Sequence, residues 1–120
     1  MTETSPLVIH EIQKITVVNF NTAAVLDAIH IQSIADQLYD LVDKRACRKL
    51  ILDLTKVRYF SSQALGVLIS LYKKSQAIKG SVVLCGVNDE LMKLFKLTNL
   101  HKFFRISADE KEALASFSIA

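Results

Sequence analysis

The feature that most constrains the fold is a change of apolar spacing in the middle of the chain. The segment 50–54 is a compact apolar run of the kind found in a buried parallel strand. From Leu65 onward the apolar residues follow helical spacing instead, with Leu65 and Leu68 on one face. A strand therefore passes into a helix across the intervening segment, and Ser61 and Ser62 lie where that helix begins.

Before this segment the apolar pattern predicts two strands and one helix. The strands are Leu7–His10 and Ile15–Phe20, joined by a turn near 13–14. The helix covers 31–42, where the apolar residues follow the i, i+3, i+4, i+7 rule and the opposite face is acidic. Residues 1–6 are expected to form a flexible arm, and 21–28 show no clear pattern.

After the serines, predicted strands and helices continue to alternate. The helix from Ser62 is expected to end at Lys79–Gly80, with Gly80 as a left-handed C-terminal residue. Gly66 within it is expected to permit close helix packing. There follow a strand at 81–87, a helix capped by Asn88, an edge strand at 103–106 and a terminal helix opened by a capping box at 107–110. This alternation predicts an α/β domain with right-handed crossovers.

Composition excludes several function classes. A chain of 120 residues, 51% of them apolar, makes one domain with a real core. The net charge of +3 is mild, and the basic residues at 44–49 and 56–58 lack interleaved stacking aromatics, so we expect no nucleic-acid binding. No apolar run approaches the ~18 residues that span a bilayer. Because the N-terminal pattern is not that of a signal peptide, we expect a cytoplasmic protein that does not bind membranes.

The residues that catalysis and metal binding require are badly spaced in this chain. His10, His30 and His101 show neither metal nor triad spacing, and glycines at 66, 80 and 86 cannot form a phosphate loop. Cys47 and Cys85 stand far apart and are expected to be buried reduced thiols. We therefore expect no enzymatic activity, no metal and no cofactor.

The stretch 50–71 resembles the signature of STAS domains, in particular the stand-alone bacterial anti-sigma factor antagonists. In that family a strand ending in aspartate and a short loop lead to a helix that opens Asp-Ser-Ser/Thr-Gly-Leu-Gly, whose first serine a partner kinase phosphorylates. Aligning Leu65-Gly66 with the family's Leu-Gly puts Ser62 on the phosphorylated serine and Ser61 on the preceding aspartate. The resemblance implies a single STAS-like domain over 1–120, with a mixed, mostly parallel sheet and helices chiefly on one face.

The same resemblance implies a protein-binding module, monomeric or weakly dimeric. Its partner would be an anti-sigma factor with serine-kinase activity, and phosphorylation of Ser62 (with Ser61 as runner-up) would switch binding off. The expected partner-binding residues are those of the loop and the helix start: Asp53, Lys56, Arg58, Ser61, Ser62 and Gln63. Asp53 is also expected to accept hydrogen bonds from loop amides.

Alternatives remain open. Ser61 stands in place of the family's aspartate and Ala64 in place of its first glycine, which favours a scaffold or docking STAS module that is not phosphorylated. A STAS domain that binds a nucleotide or another small ligand is a further alternative, with no sequence feature of its own. The residues alone favour a different interpretation, in which the two serines only cap the helix, and the family resemblance is what favours phosphorylation.

Overall fold

Seven strands, four α-helices and one 3₁₀ turn alternate along the part of the chain that the computed structural model describes, residues 7–25 and 28–118. The arm expected at 1–6 lies outside the described residues. The strands are β1 Leu7–Ile12, β2 Ile15–Phe20, β3 Ala24–Val25, β4 Lys49–Asp53, β5 Tyr59–Phe60, β6 Ser81–Cys85 and β7 Arg105–Ser107. The helices are α1 Ala28–Asp43, α2 Ser62–Ala77, α3 Asp89–Leu97 and α4 Glu110–Ser118, with the 3₁₀ turn at Leu100–Lys102.

Five of the strands form one sheet in the order β1-β2-β4-β6-β7. β1 is antiparallel to β2, and every other neighbouring pair in this sheet is parallel. The turn between β1 and β2 contains no glycine, yet Gln13 and Lys14 both have positive φ, at 50° and 69°. Two such residues form the tight turn that matches strand twist. The mixed, mostly parallel α/β sheet is confirmed.

The two faces of the sheet are buried by different helices. Side chains alternate along a strand, so Leu50 and Leu52 of β4 face the core formed with α1, α2 and α3. Ile51 faces the smaller cluster, together with Val83 and with Ala113 of α4. Helices α1, α2 and α3 therefore cover one face and α4 covers the other. This agrees with the prediction of helices chiefly on one face.

Helix α1 has the buried face that its spacing predicts. Its fully enclosed side chains are those at the expected positions, Ile31, Ile34, Ala35, Leu38, Leu41 and Val42. The strand order and the sequential crossovers place α1 between β2 and β4, α2 between β4 and β6, and α3 between β6 and β7. α1 and α3 consequently lie toward opposite ends of the helix layer.

The end of α2 is not built as the sequence suggested. The left-handed residue is Lys79, with φ 60°, and Gly80 is not in that region. The N–H of Lys79 donates to the Gln76 carbonyl at 3.0 Å and that of Gly80 to the Ser75 carbonyl at 2.8 Å, which is a Schellman motif. Glycine is required at 80 for space, because a Cβ there would lie 2.8 Å from the Arg48 carbonyl oxygen.

The expectation for Gly66 is also wrong. A Cβ built on Gly66 would meet nothing within 4 Å, so no neighbour packs closely against this part of α2. The residue is exposed. Its lack of a side chain leaves a bare surface on the helix, and it costs helix stability without any packing benefit.

The last strand starts two residues later than predicted. Phe103 and Phe104 follow the 3₁₀ turn and pack edge-on against Tyr72, with ring centroids 5.4 and 5.6 Å away. Aromatic packing on α2 therefore holds these two residues outside the sheet, and β7 begins at Arg105.

The capping box of α4 also lies two residues later than predicted, at Asp109–Glu112 instead of 107–110. Asp109 accepts a hydrogen bond from the N–H of Glu112 at 2.9 Å, and the Glu112 carboxylate accepts one from the N–H of Ala108 at 3.2 Å. Ser107, which the sequence pattern made the cap, is buried at the end of β7.

Replacing each of the two α2-associated glycines by alanine should change stability in opposite directions. Gly80→Ala should lower the free energy of unfolding by roughly 1–3 kcal/mol, because the new methyl group meets backbone that cannot move easily. Gly66→Ala, the matched control, should raise it by up to about 1 kcal/mol, since alanine is the better helix former. Urea unfolding of both variants measures this, and equal effects would contradict the assignment.

Candidate partner-binding site

The two serines at the start of α2 have different surroundings. Ser61 is the N-cap, with extended backbone at φ −82° and ψ 167°, and its Oγ accepts a hydrogen bond from the N–H of Ala64 at 3.1 Å. Ser62 is the first residue of the helix and is exposed. Its hydroxyl bonds to none of the described residues. Ser61 thus closes the helix end, and the hydroxyl of Ser62 remains available.

The helix surface beside Ser62 is open. Gln63 is exposed, and Gly66, one turn further along the same face as Ser62, adds no side chain. The first turn of α2 contains no acidic residue. A protein surface can therefore approach the backbone around Ser62 closely.

The loop between β4 and β5 is anchored by the end of β4. Asp53 accepts hydrogen bonds from the Thr55 hydroxyl and from the Thr55 N–H, the latter at 2.9 Å, as expected for the aspartate at the strand end. The N–H of Leu54 donates to the Cys85 carbonyl at 2.9 Å, and the N–H of Val57 donates to the Leu54 carbonyl at 3.0 Å. The loop is thus fixed to β6 as well as to β4.

Gly86 makes this anchoring possible. It has φ +69°, a conformation that other residues rarely adopt, and a Cβ there would lie 2.9 Å from the Thr55 nitrogen. The residue therefore ends β6 earlier than the sequence predicted and lets the β4 loop pass directly over it.

A second, two-stranded sheet leads the chain into α2. β3 and β5 pair in parallel. The N–H groups of Arg58 and Tyr59 both donate to the Ala23 carbonyl, at 2.7 and 3.1 Å, and the N–H of Ser61 donates to the Val25 carbonyl at 3.0 Å. Strands of two residues are too short to produce a periodic pattern, so sequence reasoning missed them.

Asn88 joins the start of α3 to the same loop. Its Oδ1 accepts a hydrogen bond from the N–H of Leu91 at 2.8 Å, which confirms the predicted cap. Its Nδ2 donates to the Val57 carbonyl at 3.0 Å. One amide therefore fixes the loop and the N-terminus of α3 relative to each other.

A groove of about 570 Å³ lies between β5 and the start of α3. Its walls combine apolar side chains with charges of both signs: Arg58, Tyr59, Phe60, Asp89, Glu90, Leu91 and Leu94, together with Asn88. Tyr59 is 61% exposed, although it is large and mostly apolar. One of its lining residues, Phe60, comes two positions before Ser62 in the chain.

The six predicted partner-binding residues do not form one continuous surface. Arg58 is exposed just before β5, and Ser61, Ser62 and Gln63 are the cap and the first two residues of α2. Lys56 is directed instead toward Asn21, with Nζ 3.0 Å from that residue's Oδ1. Asp53 is half-buried and occupied with the loop, so its place is structural. Tyr59 and the groove were not among the expected residues.

Asp53 also takes part in a polar cluster with α4. Nδ2 of Asn19 donates to Oδ2 of Asp53 at 3.1 Å and to Oε2 of Glu110 at 2.5 Å. Burial raises the pKa of Asp53, but hydrogen bonds from Glu110 and Thr55 outweigh it and leave that pKa below its ordinary value. The pKa of Glu110 is raised, because its hydrogen bond to Asp53 favours the protonated form and because it is partly buried.

The two cysteines are free thiols, as predicted, although only Cys85 is fully buried. Burial, assisted by the Asp53 carboxylate, raises the pKa of Cys85 to about 12, so its thiol stays neutral and unreactive.

Within the described residues, no three His, Cys, Asp or Glu side chains are grouped to hold a metal ion. None of the described helices has the length and apolar character needed to cross a bilayer.

Comparison with known proteins agrees with this architecture. The family model for the STAS domain matches residues 7–113. The anti-sigma F factor antagonist of Paenibacillus polymyxa is 26% identical over 83 residues, which cover 69% of this chain and 71% of that protein.

Solved structures share the fold at lower identity. An anti-sigma-factor antagonist (STAS) domain protein from Planctomyces limnophilus superposes with a TM-score of 0.85 at 19% identity, covering 97% of this chain and all of that one. The phosphorylated form of the Bacillus cell fate determinant SpoIIAA gives a TM-score of 0.73 at 15% identity, covering 92% and 98%.

The fold is that of a STAS domain, a class of small α/β modules. The chain belongs to the STAS domain family.

Replacing Glu110 by glutamine should stabilise the protein at neutral pH and not at low pH. A carboxyl group whose folded pKa is raised contributes stability that is full below its unfolded pKa and lost as pH rises through the folded value. At neutral pH, Glu110→Gln should therefore raise the free energy of unfolding by about 0.5 kcal/mol. The glutamine amide can donate a hydrogen bond to Asp53, whereas an ionised Glu110 repels the Asp53 carboxylate.

The measurement is urea unfolding across a pH series. The advantage of Glu110→Gln should disappear as pH falls through the raised pKa of Glu110. Glu90→Gln, at a carboxylate that is 84% exposed, is the control and should show no such change. A gain that persists unchanged at low pH would contradict the raised pKa of Glu110.

Proposed function

We propose that this chain is a non-enzymatic switch that binds an anti-sigma factor with serine-kinase activity, and that phosphorylation of Ser62 releases the partner. The observation that carries the proposal is the exposed Ser62 hydroxyl on the first turn of α2. The helix is capped by Ser61, so this hydroxyl is not needed as a cap. The contact surface consists of Arg58, Tyr59, Ser61, Ser62, Gln63 and Gly66 with the adjoining groove. A sigma factor and its regulators act in the cytoplasm, so the proposal places this protein there.

The physics of a helix N-terminus supports a switch that leaves the fold intact. A phosphate adds about −1.5 to −2 charges at pH 7. At a helix N-terminus such a charge gains typically about 0.3–1 kcal/mol from the helix dipole. The effect of phosphorylation is then felt at the interface, where repulsion and bulk weaken binding tenfold for each ~1.4 kcal/mol lost.

Ser62 is the better acceptor of the two serines. The Ser61 Oγ already accepts the N–H of Ala64, and a modification there would disturb a cap worth about 1 kcal/mol. Ser61 is also half-buried, whereas Ser62 is exposed. A kinase can therefore reach Ser62 without opening the helix.

The two departures from the family motif are compatible with this fold. Ser61 accepts the capping hydrogen bond that an aspartate would also accept at an N-cap. The methyl group of Ala64 is buried in the core, in a helical position with negative φ. Neither departure alters the presentation of Ser62, so the question they leave concerns recognition by the kinase.

Relatives with informative names support the same proposal. One relative by sequence is named an anti-sigma F factor antagonist, and one structural relative is described as a phosphorylated form. These descriptions belong to those proteins, and here they support the choice of partner class and of modification.

Phosphorylation should occur at Ser62 and abolish partner binding. With the cognate kinase and ATP, mass spectrometry should find one phosphate, lost in Ser62→Ala and retained in Ser61→Ala. In a binding titration, Ser62→Glu should weaken affinity for the partner at least tenfold, about 1.4 kcal/mol. Gln76→Glu, which adds the same charge at the far end of α2, should bind like the wild type.

Two results would contradict the proposal. A cognate kinase that binds this chain but leaves Ser62 unmodified in the presence of ATP would favour the docking module that is not phosphorylated. A phosphorylated chain that binds as tightly as the unmodified one would remove the switch altogether.

The bare helix surface at Gly66 should matter for binding and not for folding. Gly66→Ala adds a methyl group where the partner approaches, so affinity should fall about tenfold, while thermal stability rises. Calorimetric titration and thermal unfolding of the same sample separate the two effects. Unchanged affinity would place the contact elsewhere.

A further inference from the structure

The outer side of α1 forms a surface with negative charge, called here the acidic surface. It consists of Ile29, Gln32, Asp36, Gln37 and Asp40, and α1 contains no Lys or Arg. A shallow groove of about 550 Å³ runs along it, bordered by Ile29, Gln32 and Asp36. Ile29 is 82% exposed, which is unusual for a large aliphatic side chain.

The end of α3 and the chain that follows form an oppositely charged surface, called here the basic surface. It consists of Lys93, Lys96, Leu97, Lys102, Phe103 and Arg105, all exposed. No Asp or Glu occurs between residues 91 and 108. Leu97 is 82% exposed and Phe103 is 49% exposed, so an apolar projection lies among the cations.

The protein itself neutralises little of this charge. On the acidic surface, Asp40 has only a long, exposed contact of 3.8 Å with Lys44, and Asp36 accepts from the neutral Gln32 at 2.8 Å. On the basic surface, Lys93 has a similar 3.9 Å contact with Glu90. Across the described ranges, Lys96, Lys102 and Arg105 have no ion pair.

The two surfaces cannot meet within one copy. α2 lies between α1 and α3 in the helix layer, and α1 packs against α2. A second copy of the chain, however, offers the complement of each surface: cations around an exposed leucine, and carboxylates around a groove. Charge complementarity across a protein contact promotes association and fixes which surfaces meet.

We propose that copies of this chain associate head to tail, with the basic surface of one copy on the acidic surface of the next and Leu97 against the groove beside Ile29. Such a contact is heterologous, so each bound pair keeps one free surface of each kind and can add further copies. Exposed ion pairs are individually weak, which makes the association dependent on concentration and on salt.

The basic surface is separate from the partner-binding site. The basic surface occupies the C-terminal end of α3, whereas Asn88 and the groove beside Ser62 lie at its N-terminal end. A copy bound to the basic surface therefore leaves that groove uncovered. The inference does not depend on the proposed function.

Sedimentation equilibrium of the full chain, over a concentration series at about 0.05 M and about 0.5 M salt, tests this inference. At low salt the average mass should rise above the 13.4 kDa of one chain as concentration increases, and at high salt much less. Lys96→Glu with Lys102→Glu should weaken the association at least tenfold, and so should Asp36→Lys with Asp40→Lys. Circular dichroism checks that each variant is folded.

The fourfold variant that combines both pairs is the decisive one. It keeps the net charge of +3 and restores opposite charges between positions 36 and 40 on one surface and positions 96 and 102 on the other, so it should associate more tightly than either double variant. Lys14→Glu with Lys111→Glu, two exposed lysines on other elements, is the matched control and should associate like the wild type.

Three outcomes would overturn the inference. One is a wild-type chain that stays monomeric at low salt, and another is a fourfold variant as weak as the double variants. The third is a monomeric wild type that binds phosphatidylserine vesicles through Lys96 and Lys102, which would assign the basic surface to a lipid bilayer.

Discussion

The serine site depends on how closely the end of β4 approaches the end of β6. The N–H of Leu54 bonds to the Cys85 carbonyl, and Thr55 lies over Gly86, where no other residue leaves room. Asp53 then closes the turn by accepting from Thr55. Because these contacts fix the first half of the loop, the second half reaches β5 and the N-cap of α2 along one path.

The start of α2 divides two tasks between adjacent serines. Ser61 satisfies the helix by accepting the Ala64 N–H, and its half-buried position suits a structural role. The Ser62 hydroxyl makes no such capping hydrogen bond within the described residues, and it lies at the helix N-terminus, where the helix dipole favours negative charge. The charge of the Ser62 side chain can therefore change without disturbing the Ser61 cap, and the proposed binding switch requires this.

Sequence patterns predicted the features that follow from apolar spacing and capping preference. They missed the features that depend on one contact between particular residues. The buried face of α1, the strand at 49–53 and the Asn88 cap follow from spacing and capping preference, so they were predictable. The left-handed conformation at Lys79 instead of Gly80 depends on local crowding. The second hydrogen bond of Asn88 and the contact between Asn19 and Glu110 each join residues that are distant in sequence. Ser62 was predicted from the motif around it, whereas the groove beside Tyr59 forms between β5 and α3, which are distant in sequence.

The double use of the Asn88 amide has a consequence for binding rates. Since one side chain joins the loop backbone to the first turn of α3, both walls of the groove are rigidly held before any partner arrives. A preorganised surface loses little conformational entropy on association. Under the proposed function, encounter then needs no slow rearrangement, and phosphorylation of Ser62 would act on the lifetime of the complex rather than on its rate of formation.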